Sequence, residues 1–176
     1  NSSGNTKHKN GTCVYNTKDL ELPRDAYAFL LKKSISTDFD IATGNHFESR
    51  PGLLNFSIVG RNANRVQRKK YVKFDNSTNE RRLISDEFNK KFTKKLGLVS
   101  QVAGETGLDI IEMGKDKAQI LKDFTFQDEL MFFGDNIQPG GNDYGIAQAI
   151  KYAPYKYSEC HNVKNWKETW KILKKI

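Results

Sequence analysis

Hydrophobic and polar residues alternate along this chain with two periodicities, one typical of strands and one typical of helices. Residues 53–59 predict a strand, because large apolar side chains recur at every second position and Asn55 and Ser57 fall between them. Residues 79–96 predict a helix, because large apolar residues recur at steps of four before Gly97, a residue type that commonly ends helices. Each pattern leaves one apolar face to bury, so a layered fold of helices packed on a sheet is expected.

These two periodicities predict one continuous unit over residues 22–112. A helix is expected to begin near Pro23, since proline suits the first turn of a helix. A short strand over 12–15 comes before it. The other elements predicted in this region are a strand and turn over 40–49 and two strands, 98–103 and 108–112, joined by a turn. Their order predicts an α+β unit with its helices on one face of an antiparallel sheet.

The last third of the chain has a different rhythm, in which helices and strands alternate one by one. The predicted elements are a helix over 116–124, a strand over 130–133, a helix over 142–150, a strand over 152–157 and a final helix capped by Asn162. The final helix is expected to share one apolar face among Val163, Trp166, Trp170 and Leu173. This alternation is typical of a parallel α/β sheet, although so few strands do not form one unaided.

Charge and cysteine content limit the classes of protein with which this sequence is compatible. The 29 Lys and Arg residues against 21 Asp and Glu give a net charge of +8, which suits nucleic acid, a phosphorylated small molecule or a plain charged surface. An arginine-rich tract and a zinc-finger spacing are both absent, so nucleic acid is not expected as a partner. No apolar run approaches the ~20 residues that span a bilayer. Cys13 and Cys160 form no disulfide framework, which favours the cytoplasm.

The segment from residue 130 to 143 carries the most distinctive chemistry. A short apolar run predicts a strand that ends at Asp135, and ligands bind beyond the carboxyl ends of such strands in α/β sheets. Asn142 and Asp143 then precede a predicted helix. Carboxylate oxygens suit Mg²⁺ and helix amides favour phosphate, so Asp135, Asn142 and Asp143 are candidate metal ligands. The alternative is a β-turn followed by a simple helix cap.

A second set of candidates consists of arginines around the predicted strand at 53–59. Arg50 and Arg61 bracket that strand, and Arg68 follows. Because a guanidinium binds phosphate through two parallel hydrogen bonds and stays charged, these residues predict a phosphate clamp. Arg65 is an alternative to Arg68. The residues expected on a solvated helical face instead are Lys69, Lys70, Arg81 and Arg82.

Three segments of the sequence, in this order, resemble the eukaryotic-type phosphomannomutases of the haloacid-dehalogenase (HAD) superfamily. They are Phe47–Arg61 with its continuation to Arg68, Gly104–Lys117, and Phe132–Asp143. The resemblance covers about residues 20–150 and weakens at both ends. It implies a HAD-like α/β fold, in which an α+β cap with an antiparallel sheet sits on a partial Rossmann-like core. The implied division is the end of a first core segment or linker over 1–21, the cap over 22–112, and the C-terminal part of the core over 113–176.

The resemblance also implies a role for each candidate residue. The residues implied to bind the substrate are Arg50, Arg61, Arg68, Asp109 and Gly107. Lys117 matches a lysine that neutralises the reacting phosphoryl group, and Asp135 matches a Mg²⁺ ligand. Two departures leave the exact substrate open, because Gly107 stands where Ser is usual and Glu105 where Gln is usual.

Local pattern gives independent expectations for two of these residues. Asp109 alternates with apolar neighbours, so it is expected to face away from the apolar side of its strand. Lys117 would begin a helix, where a cation opposes the helix dipole, so an anion is expected nearby. Lys115 is an alternative for the same part.

The nucleophile motif of this superfamily, Asp-x-Asp-Gly-Thr after an apolar strand, does not occur in the sequence. Residues 38–43 contain two aspartates, but they follow a polar segment and align within the cap. Ser2 and Ser3 are the remaining candidates for the hydroxyl of the second motif. Phosphoryl transfer of this kind needs a carboxylate nucleophile and Mg²⁺. The isolated chain is therefore expected to be inactive, either as part of a longer enzyme or as a reduced relative that only binds.

The implied full enzyme interconverts mannose 6-phosphate and mannose 1-phosphate through an aspartyl-phosphate and feeds GDP-mannose synthesis. It would need a sugar bisphosphate activator, and the resemblance implies a homodimer formed through the cap. The alternatives are a sugar-phosphate phosphatase on the same scaffold and a non-catalytic sugar-phosphate-binding or assembly protein. The sequence leaves the choice between mannose and glucose, the choice between mutase and phosphatase, and the oligomeric state open.

Overall fold

The computed structural model describes residues 5–176, and its first element is a β-hairpin. Its strands are β1 (Thr6–Lys9) and β2 (Thr12–Asn16). The strand predicted over 12–15 is confirmed, but its partner was missed, although the Asn-Gly turn between them is a strong hairpin signal. Lys7 Nζ lies 2.7 Å from the carboxylate of Asp123, which ties the hairpin to the last third of the chain.

The next part of the chain, residues 22–112, forms a sheet covered by helices on one face, and we call it the antiparallel lobe. Its helices are α1 (Arg24–Ile35), α2 (Arg65–Thr78) and α3 (Glu80–Leu96). Its strands are β3 (Phe47–Arg50), β4 (Leu53–Ser57), β5 (Leu98–Ala103) and β6 (Gly107–Glu112). The strands pair antiparallel in the order β3–β4–β6–β5. The helices bury their apolar sides on one face of this sheet, around Phe56, Ile110, Tyr71 and Phe88.

Helix α2 is the main element that the sequence pattern missed. It is polar over most of its length and buries only Tyr71 and Asp75, so few apolar residues mark it in the sequence. Its start is nevertheless well specified, because the Asn64 side chain accepts from the amides of Val66 and Gln67, and the Gln67 side chain accepts from the Asn64 amide. This capping box was the available signal. The chain then turns at Asn79, which is left-handed, and α3 begins.

Arg81 is buried, so the prediction that it lies on a solvated face is wrong. Its Nε donates to Asp75 Oδ2 at 2.8 Å, and its backbone amide donates to Asp75 Oδ1 at 2.8 Å. Its Nη1 donates to the carbonyl of Gly104 at 2.9 Å. Paired charges tolerate burial because each satisfies the other, and this pair anchors the β5–β6 turn from behind the sheet.

Residues 113–176 form a second unit, which we call the parallel lobe. It contains a 3₁₀ helix (Lys117–Asp123), β7 (Glu129–Gly134), α4 (Tyr144–Tyr152), β8 (Tyr157–Asn162) and α5 (Trp166–Leu173). Strands β7 and β8 pair in parallel, with α4 as the crossover between them. The predicted parallel pairing is therefore confirmed, and with it a mixed α/β fold. The assignment of the two lobes to a cap and a core stays a prediction.

Two details of the parallel lobe differ from the sequence expectation. The strand predicted over 152–157 begins only at Tyr157, because α4 continues to Tyr152. The final helix is capped by Asn165 rather than Asn162, since the Asn165 side chain accepts from the first amides of α5. The predicted apolar face of α5 is largely exposed, because no strand or helix among residues 5–176 packs extensively on this helix.

Candidate functional site

The face of the antiparallel sheet opposite the helices carries a continuous polar row. The register places four side chains side by side across all four strands, namely Glu48, Asn55, Asp109 and Gln101. Successive side chains of a strand point to opposite faces, so Arg50, two residues after Glu48, lies on this face too. We call this surface, together with Arg61 at the end of β4, the polar face. Asp109 therefore faces away from the apolar layer, as its sequence pattern predicted.

Arg50 and Arg61 converge on Glu48. Arg50 Nη2 lies 2.7 Å from Glu48 Oε1, and Arg61 Nε lies 2.5 Å from Glu48 Oε2. Partial burial alone would raise the pKa of Glu48, but the hydrogen bond and charge of Arg50, together with Arg61, lower it. The carboxylate therefore stays ionised and holds two cationic side chains at the same end of the polar face.

Arg68 is used differently from the other two arginines. Its Nε donates to the Ala63 carbonyl at 3.0 Å, its Nη1 to Thr106 Oγ1 at 3.1 Å, and its Nη2 to the Arg61 carbonyl at 3.2 Å. The guanidinium thus joins the loop after β4 to the β5–β6 turn. Arg65, the alternative from the sequence, is exposed and makes no side-chain bond within residues 5–176.

Asp109 lies at the centre of the polar face, opposite Asn55 in the pairing of β4 with β6. Asn55 Nδ2 donates to Asp109 Oδ1 at 2.7 Å. Burial raises the pKa of Asp109 above its usual value, against the hydrogen bond from Asn55 and the charges of Arg50, Lys117 and Arg61. These charges favour the ionised form of Asp109, and burial favours the neutral form.

Gly107 begins β6 next to this carboxylate and leaves room for a neighbour. A Cβ atom at position 107 would lie 2.6 Å from Asn55 Nδ2, far inside contact distance. The departure from the usual serine therefore creates the space that the Asn55 amide fills. Glu105, the other departure, is exposed in the turn between β5 and β6.

Lys117 pairs with Asp143, which begins α4. The Asp143 carboxylate is buried, and its second oxygen accepts from the amides of Asp135 and Asn136, both at 3.2 Å. The anion expected beside Lys117 from its place at a helix start is thus present. Lys115, the alternative, makes no side-chain bond within the described residues.

The metal candidates divide into two kinds. Asp135 is exposed at the carboxyl end of β7, and neither it nor Asn142 uses its side chain in a hydrogen bond within residues 5–176. Both can therefore offer oxygen atoms to a hard cation such as Mg²⁺. Asp143 has both oxygens engaged, which favours a role in orienting Lys117. Residues 5–176 contain no group of three or more His, Cys, Asp or Glu side chains able to hold a metal, so these ligands form at most part of a site.

The loop that carries Asp135 and Asn142 is fixed to the antiparallel lobe. Asn136 Nδ2 donates to the Val102 carbonyl at 3.0 Å, and the Val102 amide donates to the Gly140 carbonyl at 3.3 Å. Arg82, which was expected to be solvated, donates through Nη2 to the Pro139 carbonyl at 2.7 Å. These bonds hold the loop that carries the candidate metal ligands against the outer edge of β5.

Three residues of this site were missed by the sequence pattern: Glu48, Asn55 and Gln101. Their pairing depends on strand register, although the polar positions inside apolar strands were a visible signal. Asp38 and Asp40 lie between α1 and β3, and Ser2 and Ser3 lie outside the described residues. Within residues 5–176, every helix is too short or too polar to cross a membrane.

The sequence matches the eukaryotic phosphomannomutase family over residues 10–176. A phosphomannomutase of Schizosaccharomyces pombe is 33% identical over 150 residues, which cover 84% of this chain and 56% of that protein. The corresponding protein of Dendrobium officinale is 32% identical over 152 residues, 84% of this chain and 60% of its own length. That of Encephalitozoon cuniculi is 27% identical over 168 residues, 92% of this chain and 62% of its own length.

The chain spans about 60% of the length of the curated relatives that it matches. The family match includes both lobes and every candidate residue described above except Ser2 and Ser3. Since it extends from residue 10 to residue 176, well over half of the sequence, the chain belongs to the eukaryotic phosphomannomutase family.

Proposed function

We propose that the two lobes form the sugar-phosphate-binding part of a phosphomannomutase that interconverts mannose 6-phosphate and mannose 1-phosphate. The observation that carries this proposal is the connected cluster on the polar face, where Glu48 holds Arg50 and Arg61 and Asn55 joins Arg61 to Asp109. Fixed guanidinium groups favour a phosphate, and a carboxylate beside them favours sugar hydroxyls. A phosphorylated hexose matches both needs.

Each group has a distinct task in this proposal. Arg50 and Arg61 hold the phosphate that is remote from the reaction, with Arg68 supporting the loop that carries Arg61. Asp109 accepts a hydrogen bond from the sugar through Oδ2, since Oδ1 accepts from the Asn55 amide that fills the space beside Gly107. Lys117, oriented by Asp143, offsets charge on the reacting phosphoryl group. Bound Mg²⁺, with Asp135 and Asn142 among its ligands, would supply further charge neutralisation at that group.

The attacking carboxylate belongs to an Asp-x-Asp-Gly-Thr segment, which this sequence does not contain. In the proposed enzyme that aspartate carries the phosphoryl group, a sugar bisphosphate primes it, and the bound sugar turns around between the two half-reactions. The proposal includes a homodimer formed through the antiparallel lobe, a cytoplasmic location and supply of mannose 1-phosphate to GDP-mannose synthesis.

Calorimetric titration of the chain with mannose 1-phosphate tests the binding half of this proposal. We expect saturable binding that mannose alone does not reproduce. Arg61→Ala is expected to weaken it by ~1.5–3 kcal/mol, the usual worth of a hydrogen bond to a charged group. Arg24→Ala is the matched control, because Arg24 is exposed at the start of α1, on the helical side of the lobe. Equal affinity in the Arg61 variant would contradict the clamp.

The catalytic half is tested in a protein that joins this chain to an Asp-x-Asp-Gly-Thr segment. Incubation with mannose 1-phosphate, Mg²⁺ and a hexose bisphosphate is expected to yield mannose 6-phosphate. Free phosphate as the main product would support the phosphatase alternative instead. Binding without turnover of either kind would support a protein that only binds sugar phosphates.

A further inference from the structure

Asn55 occupies the middle of the polar face, and the roles proposed above leave it without a task. It is buried, with 6% of its surface exposed. Its Nδ2 donates to Asp109 Oδ1 at 2.7 Å, and its Oδ1 accepts from Arg61 Nη1 at 3.2 Å. One side chain therefore contacts both the carboxylate and the guanidinium that are proposed to meet the ligand.

The orientation of this amide is determined by its two charged neighbours. Asp109, when ionised, can only accept hydrogen bonds, and Arg61 can only donate them. A flipped amide would place its oxygen against the carboxylate and its NH₂ group against the guanidinium, which leaves buried polar atoms unpaired at a cost of ~1–3 kcal/mol each. Only the NH₂ group of the amide suits Asp109, and only its oxygen suits Arg61. The amide is therefore held in one orientation and acts as a rigid spacer between the two charged groups.

The spacer leaves one side of each charged group available. Asp109 Oδ2 and Arg61 Nη2 make no hydrogen bond within residues 5–176, while Oδ1 and Nη1 are occupied by Asn55. On the other side, Glu48 lies 2.5 Å from Arg61 Nε and limits how far the guanidinium can turn. The two free atoms are therefore held at a fixed separation before any ligand arrives.

We propose that Asn55 is a positioning residue, which fixes Asp109 and Arg61 in one mutual geometry so that a sugar phosphate meets the carboxylate and the guanidinium as a preformed pair. This inference rests on the proposed function. Preorganisation of this kind raises affinity, because the ligand does not have to order the groups that bind it.

Gly107 is the second part of the same arrangement. A Cβ atom at position 107 would lie 2.6 Å from Asn55 Nδ2 and 3.2 Å from its Oδ1. Any side chain at position 107 therefore displaces the Asn55 amide from its two partners. The absence of a side chain at Gly107 and the role of Asn55 depend on one another, and they should fail together when either residue is changed.

A purely structural role for Asn55 makes a different prediction from a positioning role. If Asn55 only stabilised the sheet, its loss would lower the melting temperature and leave the titration of Asp109 unchanged. A positioning amide that donates to the carboxylate stabilises its ionised form, so removal of the amide raises the pKa of Asp109 further. The acidic limb of the binding profile should then move to higher pH.

The experiment uses three single variants and one double variant of the chain: Asn55→Ala, Gly107→Ala, the two combined, and Asn76→Ala as the control. Asn76 is exposed on α2 and makes no side-chain bond within the described residues. Mannose 1-phosphate affinity is measured by calorimetry between about pH 5 and pH 8, a window centred on the usual range of carboxyl and phosphate titration. Asp109 is titrated in the ligand-free protein through its carboxyl ¹³C shift.

We expect Asn55→Ala and Gly107→Ala each to weaken binding about tenfold, the effect of one lost hydrogen bond to a charged group. The double variant should be no weaker than Asn55→Ala alone, since both changes remove the same interaction. Both single variants should raise the pKa of Asp109, and Asn76→Ala should change neither quantity.

The outcomes separate this inference from the proposed function. If the unmodified chain does not bind mannose 1-phosphate, the proposed function fails, and the ligand-free titration still decides whether Asn55 acts on Asp109. An Asp109 titration that is the same in Asn55→Ala and the unmodified chain overturns the inference, even if affinity falls. Additive losses in the double variant also overturn it. Gly107→Ala retains Asn55 and provides the same test if Asn55→Ala does not fold.

Discussion

The two lobes differ in how completely each buries its own apolar surface. The antiparallel lobe packs three helices on a four-stranded sheet, and many of its core side chains are fully buried. The buried core of the parallel lobe consists of Leu130, Ile146 and Ile150, while Trp166 remains 72% exposed. The lobe with most of the proposed substrate-binding groups thus has a large buried core, and the lobe with Lys117 and Asp135 has a small one. The groups proposed to bind the substrate and those proposed to act on the phosphoryl group therefore lie in lobes with buried cores of unequal size.

The largest effect is expected where a charged pair is buried in the stronger lobe. Arg81→Ala leaves Asp75 buried without its partner and should lower the free energy of unfolding by ~3–5 kcal/mol, measured by urea denaturation. Arg24→Ala, at an exposed position, is the control. A loss below ~1 kcal/mol would mean that this lobe does not depend on its internal ion pair.

A cavity in the weaker lobe should have a local effect. Ile146→Ala is expected to remove ~2–4 kcal/mol from the stability of the parallel lobe. Amide exchange should then lose protection in α4 and β7 and keep it in β4 and β6. Ile176→Ala, at a position that is 79% exposed, should change neither region. Simultaneous loss of protection in both lobes would contradict the conclusion that each lobe is stabilised by its own buried core.

Removal of the Lys117 cation should have a moderate effect. Lys117→Met leaves Asp143 with only its two amide donors, and we expect a loss of ~1 kcal/mol in stability, because Lys117 is one-third exposed. The amide resonances of Asp135 and Asn136 should shift, since they share the same carboxylate. Lys115→Met is the matched control. Unchanged amide shifts would contradict the proposal that Lys117 and Asp143 act as one unit.

The smallest effect concerns the pH dependence of stability. Burial raises the pKa of Asp109 in the folded protein, so its ionised form destabilises the fold at neutral pH, and this penalty disappears as the pH falls through the folded pKa. The free energy of unfolding of Asp109→Asn at neutral pH should therefore exceed that of the unmodified chain by less than ~1 kcal/mol, and the difference should vanish in acid. Asp86→Asn, an exposed change of equal charge, is the control. A variant that is less stable at neutral pH would contradict this account.

Sequence periodicity was informative where one face of an element is apolar and the other is not. Strand β4 and helix α3 have such patterns, and both lie close to their predicted bounds. Helix α2 contains few apolar residues, so its capping box was the main signal in the sequence. The position of β8 was misjudged because α4 continues through Tyr152, a residue type that also suits strands.

The candidate site was predictable as a set of residues but not as an arrangement. Arg50, Arg61 and Asp109 were identified from the sequence, and the structure brings them to one face. Their connection through Asn55 depends on the pairing of β4 with β6, and a shift of one residue in that pairing would place Asn55 opposite an apolar neighbour. Strand register is set by the whole sheet, so local sequence could not reveal that the amide joins two charged groups.

Strand β5 is the outer strand of its sheet, and the only backbone pairing along its open edge within residues 5–176 is the bridge from Val102 to Gly140 and Gly141. Side chains occupy the other backbone groups of this edge: Asn89 accepts from the Ser100 amide, Ser85 and Asn89 donate to the Ser100 carbonyl, and Asn136 donates to the Val102 carbonyl. Unprotected edges recruit strands from neighbouring chains and begin aggregates. Helix α3 and the loop after β7 therefore protect β5 from self-association as well as joining the two lobes.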